Sequence, residues 1–242
     1  MSDKQRVALV TGGSRGVGAA TVRRLAADGH RVAFSYLNAA QRAKELAEET
    51  GSLALQADAG STEEMTQLVA DTVTQLGRLD VLVNNAATFL TGRLTDPDRD
   101  EEAFARQFRT NLFGAVAATR AAAPHLTEGG RIVLVSSVGV TFSGGGPVGD
   151  YIASKAALEA YGRAWANEFG PRGITVNSVQ LGAIDTEMLD LGPGGVEAFL
   201  PMVALRRLGR PEDIADVIAY LAGDGAAFIT GATIRADGGI GL

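Results

Sequence analysis

Val7-Ala8-Leu9-Val10-Thr11-Gly12-Gly13-Ser14-Arg15-Gly16-Val17-Gly18 runs four apolar residues straight into a glycine cluster, and a helical pattern follows at once. An unbroken apolar run fits a parallel strand covered on both faces, where an alternating pattern would leave one face wet. Glycine lets the chain turn tightly and lets backbone N–H groups approach a ligand closely. The helix beginning near Gly16 points the positive end of its dipole back at that turn, a setting that favours a phosphate anion. The spacing is Gly12-x-x-x-Gly16-x-Gly18 rather than G-x-G-x-x-G. Between a first strand and a first helix, such a turn predicts a dinucleotide pyrophosphate site.

The same alternation continues outward. Short runs rich in Val, Ile and Leu recur at 32–34, 53–55, 81–83, 132–135, 174–179 and 232–234. Between them lie helical patterns at 16–29, 39–50, 61–76, 98–123, 152–169 and 211–222. Ser61-Thr62-Glu63-Glu64 has the Ser-x-x-Glu spacing of a capping box, which marks one helix start. No composition break, repeat or linker interrupts the series. The expectation is one α/β domain over 1–242 with a doubly wound, seven-stranded parallel sheet and helices on both faces. The stretch 139–149, with Gly144-Gly145-Gly146-Pro147, reads as an irregular loop.

Composition narrows the function classes. The chain has 242 residues, 31 of them Gly and none Cys, so thiolate metal sites and thiol nucleophiles are excluded. His30 and His125 match no ligand spacing, and no metal is expected. With a net charge of −6 and no Lys/Arg cluster, no nucleic-acid partner is expected. No apolar run approaches the ~18 residues of a membrane span, and the first residues carry no signal-peptide pattern. A cytoplasmic protein is the expectation.

Two further stretches carry chemistry. The second strand ends Phe34-Ser35-Tyr36-Leu37-Asn38, without the carboxylate that would grip a ribose 2′-hydroxyl and repel a 2′-phosphate. Arg15 lies inside the glycine turn, where a guanidinium pairs well with phosphate. Both features favour NADP(H) over NAD(H). Asp58, after the third strand, is a candidate acceptor for the adenine amino group. Tyr151-Ile152-Ala153-Ser154-Lys155 places Tyr and Lys four apart on one helical face. A nearby ammonium is expected to lower the Tyr151 pKa from its usual ~10 toward the range where general acid/base catalysis works.

The glycine turn, Asn84-Asn85-Ala86-Ala87, Asn111, Ser136-Ser137 and Tyr151-x-x-x-Lys155 follow one another in the order of the short-chain dehydrogenase/reductase family. Arg207-Leu208-Gly209-Arg210-Pro211-Glu212-Asp213 and Asp237-Gly238-Gly239 extend the resemblance to nearly the whole chain. It resembles the compact branch, and within it the 3-oxoacyl-[acyl-carrier-protein] reductases. The resemblance implies a Rossmann fold and an NADPH-dependent carbonyl reductase. Tyr151 would be the proton donor, Lys155 would tune it and hold the nicotinamide ribose, and Ser137 would bind the carbonyl oxygen. Asn111 would hold a water leading from Lys155 to solvent. Gly12, Ser14, Arg15, Gly16, Val17, Gly18, Ser35, Tyr36, Asp58, Ala59, Asn84 and Ala86 would bind the rest of the cofactor. Tyr151 and Lys155 would share in that, with Ile184 and Thr186 at the nicotinamide amide. The implied partner is a small-molecule carbonyl substrate, free or carrier-bound, with Arg172 as a docking cation for a carrier. The implied assembly is a homotetramer or dimer.

Three departures stand out. Ser137 lies fourteen residues before Tyr151, where the family usually has thirteen. Leu181 replaces a usual Pro, and Ala87 a usual Gly. The segment 187–200, with Gly192-Pro193-Gly194-Gly195, reads as a short substrate lid.

Overall fold

Seven parallel strands form one sheet in the order β3-β2-β1-β4-β5-β6-β7. They are β1 (Val7–Val10), β2 (Arg31–Tyr36), β3 (Leu53–Gln56), β4 (Val81–Asn84), β5 (Arg131–Ser137), β6 (Thr175–Leu181) and β7 (Thr233–Ala236). The computed structural model describes residues 5–142, 146–189, 192 and 194–240. Eight helices connect or flank the strands: α1 (Gly16–Ala27), α2 (Ala40–Thr50), α3 (Thr62–Leu76), α4 (Glu101–Phe108), α5 (Gly114–Ala122), α6 (Gly149–Phe169), α7 (Gly195–Phe199) and α8 (Pro211–Ala222).

The apolar runs are unbroken because the two sides of each strand enter different cores. In β1, Val7 and Leu9 join the layer that includes Met65, Leu112 and Leu158. Ala8 and Val10, one residue out of phase, join the layer with Val22, Leu25 and Ile218 on the other face. Sequence order reverses between β1 and β4, so the loops leaving their C-terminal ends diverge and open a crevice. The glycine turn leaves β1 at that point.

The structure corrects the elements in three places. The 98–123 pattern is not one helix: α4 ends at Phe108, a π-helical turn spans Arg109–Phe113, and α5 follows. At Ser61 the capping box is split. The Ser61 hydroxyl accepts the Glu64 N–H at 3.2 Å, but the Glu64 carboxylate reaches past Ser61 to the Asp58 N–H at 2.8 Å. The segment read as a lid, 187–200, holds the short helix α7, and a 3₁₀ turn, Leu200–Met202, follows it, elements the sequence pattern did not mark. Positions 190, 191 and 193 of that segment, and 143–145 of the glycine-rich loop, lie outside the described residues. Leu181 continues β6, paired with Ser137 and Ala236. Among the described residues, no helix is long and apolar enough to cross a membrane.

Candidate active site

The glycine turn is held in shape by its neighbours. Gly12 and Gly16 take φ of +65° and +52°, a region that side chains disfavour. A Cβ on Gly18 would lie 2.2 Å from the Gly12 carbonyl oxygen, so the helix start presses directly on the turn. Gly12 N–H donates to the Ser35 hydroxyl at 2.9 Å, and Gly13 N–H to the Ser35 carbonyl at 2.8 Å. From β4, Asn85 Nδ2 donates to the carbonyls of Thr11 and Gly12, and the Thr11 hydroxyl accepts the N–H groups of Asn85 and Ala86. Ser35 is thus a buried brace under the turn.

Helix α1 has no side-chain cap at Arg15 and no acidic residue in its first turn. Helices α3 and α4, by contrast, are capped by Ser61 and Asp100 and begin with glutamates. Its uncapped N–H groups, at Gly16, Val17 and Gly18, are therefore donors left for an anion, and the residues fit a bound pyrophosphate. Ser14 is half-buried beside them, and Thr186 stands against Gly16 from across the cleft.

The other cofactor candidates divide by what their side chains already do. Ala59 and Ile184 are packed into the two cores, and the Ile184 carbonyl accepts the Thr186 hydroxyl at 3.4 Å. Asn84 Nδ2 donates to Thr119 Oγ1 at 3.0 Å and ties β4 to α5. Ala86 lies against Gly12, and Tyr36 is half-buried at the end of β2. The Asp58 carboxylate accepts the Gly60 N–H at 2.7 Å and pairs with Arg106 at 2.9 Å. An adenine amino group would have to share it with both.

Ser137 ends β5, and Tyr151 lies in the first turn of α6. Their side chains hydrogen-bond, so the fourteen-residue spacing still brings the hydroxyl to the phenol. Phe89 packs edge-on to the Tyr151 ring, with centroids 4.8 Å apart. Lys155, one turn on, is 2% exposed and donates to the Val135 carbonyl at 2.9 Å. Burial pushes the Lys155 pKa down to about 8. The expected lowering of Tyr151 is not what this geometry gives. Burial pushes the phenol up, the Ser137 hydrogen bond works against that, and the Lys155 ammonium stands 6.0 Å from the ring centroid. Desolvation wins because the ammonium is directed at a backbone carbonyl.

Asn111 sits in the π-helical turn, buried, with its amide fully engaged. Oδ1 accepts the Thr88 N–H, and Nδ2 donates to the Thr88 carbonyl and to Ser154 Oγ. Its side chain therefore braces the loop after β4 against α6.

The sequence matches the family model described as enoyl-(acyl carrier protein) reductase over residues 12–241. The chain is a short-chain dehydrogenase/reductase. This short-chain dehydrogenase/reductase is 39% identical to the cyclic-di-GMP-binding biofilm dispersal mediator protein of Escherichia coli K12, over 98% of this chain and 97% of that one. It is 37% identical to versicolorin reductase 1 of Aspergillus parasiticus, over 99% of both chains. Among solved structures, it is similar to a blue fluorescent protein from a metagenomic library, in complex with NADPH. That match has a TM-score of 0.93 at 40% identity and covers 98% of each chain.

Several residues of this short-chain dehydrogenase/reductase site carried no sequence signal of their own. Thr11 and Asn85 lock the glycine turn, and Phe89 packs on Tyr151. Beneath them, the buried Glu159 accepts hydrogen bonds from Ser136 and Gln180 and fastens α6 to β5 and β6. Only Asn85 was hinted at, as the second half of an Asn-Asn doublet.

Proposed function

We propose that the chain is an NADPH-dependent ketone reductase in which Tyr151 donates the proton. The Ser137–Tyr151–Lys155 arrangement at the crevice supports this most directly. The NADPH complex of a 40%-identical structure, the absence of a carboxylate at the end of β2 and Arg15 in the turn support the cofactor. When bound, that cofactor supplies the hydride to the carbonyl carbon.

The chain's own residues handle the oxygen and its proton. Ser137 donates a hydrogen bond to the substrate oxygen, stabilising the negative charge that grows there. Tyr151 stays protonated at neutral pH because burial holds its pKa up, so it is ready as an acid. As the phenol gives up its proton, the Lys155 ammonium, 6.0 Å from the ring centroid, favours the forming phenolate. Lys155 has three donors and one protein acceptor, Val135, so the remaining donors are available to ribose hydroxyls.

A free ketone is better supported as substrate than a carrier-bound one. The Arg172 guanidinium, the expected docking cation, donates to the Ala123 and Leu126 carbonyls at 2.7 and 2.6 Å, at the end of α5. We place the activity in the cytoplasm, in a homotetramer. A panel of quinones, cyclic ketones, sugars and a free β-keto thioester, followed by loss of NADPH absorbance, tests the reading. Tyr151→Phe is expected to bind NADPH normally and lose turnover by at least a hundredfold. Full activity in that variant would refute the mechanism. Cofactor binding with no turnover in the wild type on any carbonyl would point instead to a nucleotide-binding regulator.

A further inference from the structure

Arg15 and Arg42 share one carboxylate. Arg15 precedes α1 at the glycine turn, and Arg42 lies in the first turn of α2, just beyond the end of β2. Glu187, the residue after Thr186, reaches over from the β6 side and bridges them. Its Oε2 lies 3.3 Å from Arg15 Nη1 and its Oε1 2.5 Å from Arg42 Nη1. All three side chains are more than half exposed. Three separate elements thus converge on one point at the mouth of β2, the edge where a 2′-phosphate is distinguished from a 2′-hydroxyl.

The charges do not balance there. Two guanidinium groups face one carboxylate, which leaves a surplus of one positive charge. A phosphomonoester carries about −1.5 to −2 at neutral pH and offers three acceptor oxygens, so it matches two guanidinium groups better than a carboxylate does. Exposed ion pairs of this kind are also weak and screened by salt, so the carboxylate is displaceable.

We propose that Glu187 is an internal competitor for the cofactor's 2′-phosphate, and that Arg42 is, with Arg15, one of the two cations that the phosphate takes over. Glu187 holds the pair in the free enzyme and surrenders both arginines to the phosphate. It has no such exchange to make with a cofactor that carries a bare 2′-hydroxyl. Glu187 and Arg42 together therefore set how strongly the enzyme distinguishes NADPH from NADH. The inference rests on the NADPH reading above.

Calorimetric titration at low ionic strength separates the two ideas, with NADPH, NADH, 2′,5′-ADP and 5′-AMP as probes. In Glu187→Gln, NADPH and 2′,5′-ADP are expected to bind about three- to tenfold tighter, with NADH and 5′-AMP unchanged. In Arg42→Ala, the pair that bears a 2′-phosphate is expected to weaken by about tenfold, again with NADH and 5′-AMP unchanged. The Glu187→Gln gain should shrink as salt is raised. Unchanged or weaker NADPH binding in Glu187→Gln would overturn the competition. Equal tightening of NADPH and NADH would overturn it as well, since it would make Glu187 a barrier to both. A wild type with no preference for NADPH would instead defeat the cofactor reading itself.

Discussion

Lys155 is where chemistry and stability pull apart. Its pKa is about 8 in the folded chain and near 10.5 when unfolded, so burying the ammonium costs about 3 kcal/mol at neutral pH. Between those two values the unfolded chain holds a proton that the folded chain has lost, so this contribution makes stability rise with pH from about 8 to 10.5. Below pH 8 the full penalty is present. Lys155→Met should therefore stabilise the cofactor-free protein by about 2 kcal/mol at pH 7, after the lost bond to Val135 is deducted. Urea melts of both proteins at pH 7 and pH 10 check this, because the advantage should shrink at the higher pH. The same titration governs the rate. Reduction is expected to hold up to about pH 8 and to decline above it as the ammonium is neutralised, while the raised Tyr151 keeps its proton; a profile of kcat/KM against pH reads that limb. Side-chain identity and order were enough to single out Ser137, Tyr151 and Lys155 as candidates, and the fold brings the first two into hydrogen-bond contact. What the Lys155 ammonium faces was not legible, because the Val135 carbonyl is a backbone group that every residue possesses.

At the scale of elements, the break between α4 and α5 shows where pattern reading stops. Apolar periodicity spans 98–123 without a fault, yet the backbone winds through a π-helical turn at Arg109–Phe113. The extra residue per turn lets Asn111 face the Thr88 backbone and Ser154 together, a demand set by a loop twenty-three residues away. Gly114 follows at once, and a Cβ there would lie 2.0 Å from the Ala59 carbonyl oxygen. Helix propensity favours Ala over Gly by up to ~1 kcal/mol, whereas forcing apart a packed backbone costs about 1–3 kcal/mol. Gly114→Ala is therefore expected to destabilise by about 1–2 kcal/mol, measured as a lower urea midpoint at constant m-value. It should also weaken NADPH binding, since Ala59 and Asp58 belong to the same turn. A stabilised variant would mean that the contact between α5 and the turn ahead of α3 is loose enough to give.

At the scale of the whole molecule, the unbroken apolar runs made the sheet legible, because each strand feeds two cores and no polar face interrupts the pattern. The outer surfaces were less legible, since an exposed aromatic and a buried one look alike in sequence. Phe228 is fully exposed just ahead of the edge strand β7, and Tyr220 on α8 is half exposed. Phe113, in the π-helical turn, and Tyr161, on α6, are exposed as well. Exposed large apolar side chains on different elements are what two different self-contacts would cover, and two isologous contacts build a tetramer with perpendicular two-folds. If the homotetramer forms this way, Phe228→Asp should reduce it to a dimer that keeps its fold, and Tyr161→Asp should weaken the other contact. Sedimentation velocity distinguishes the species directly. The candidate catalytic residues Ser137, Tyr151 and Lys155 lie at the end of β5 and on α6, not on β7 or α8, so the Phe228→Asp dimer should retain most of its turnover per subunit. A wild type that sediments as a monomer at micromolar concentration would leave these exposed side chains without this explanation.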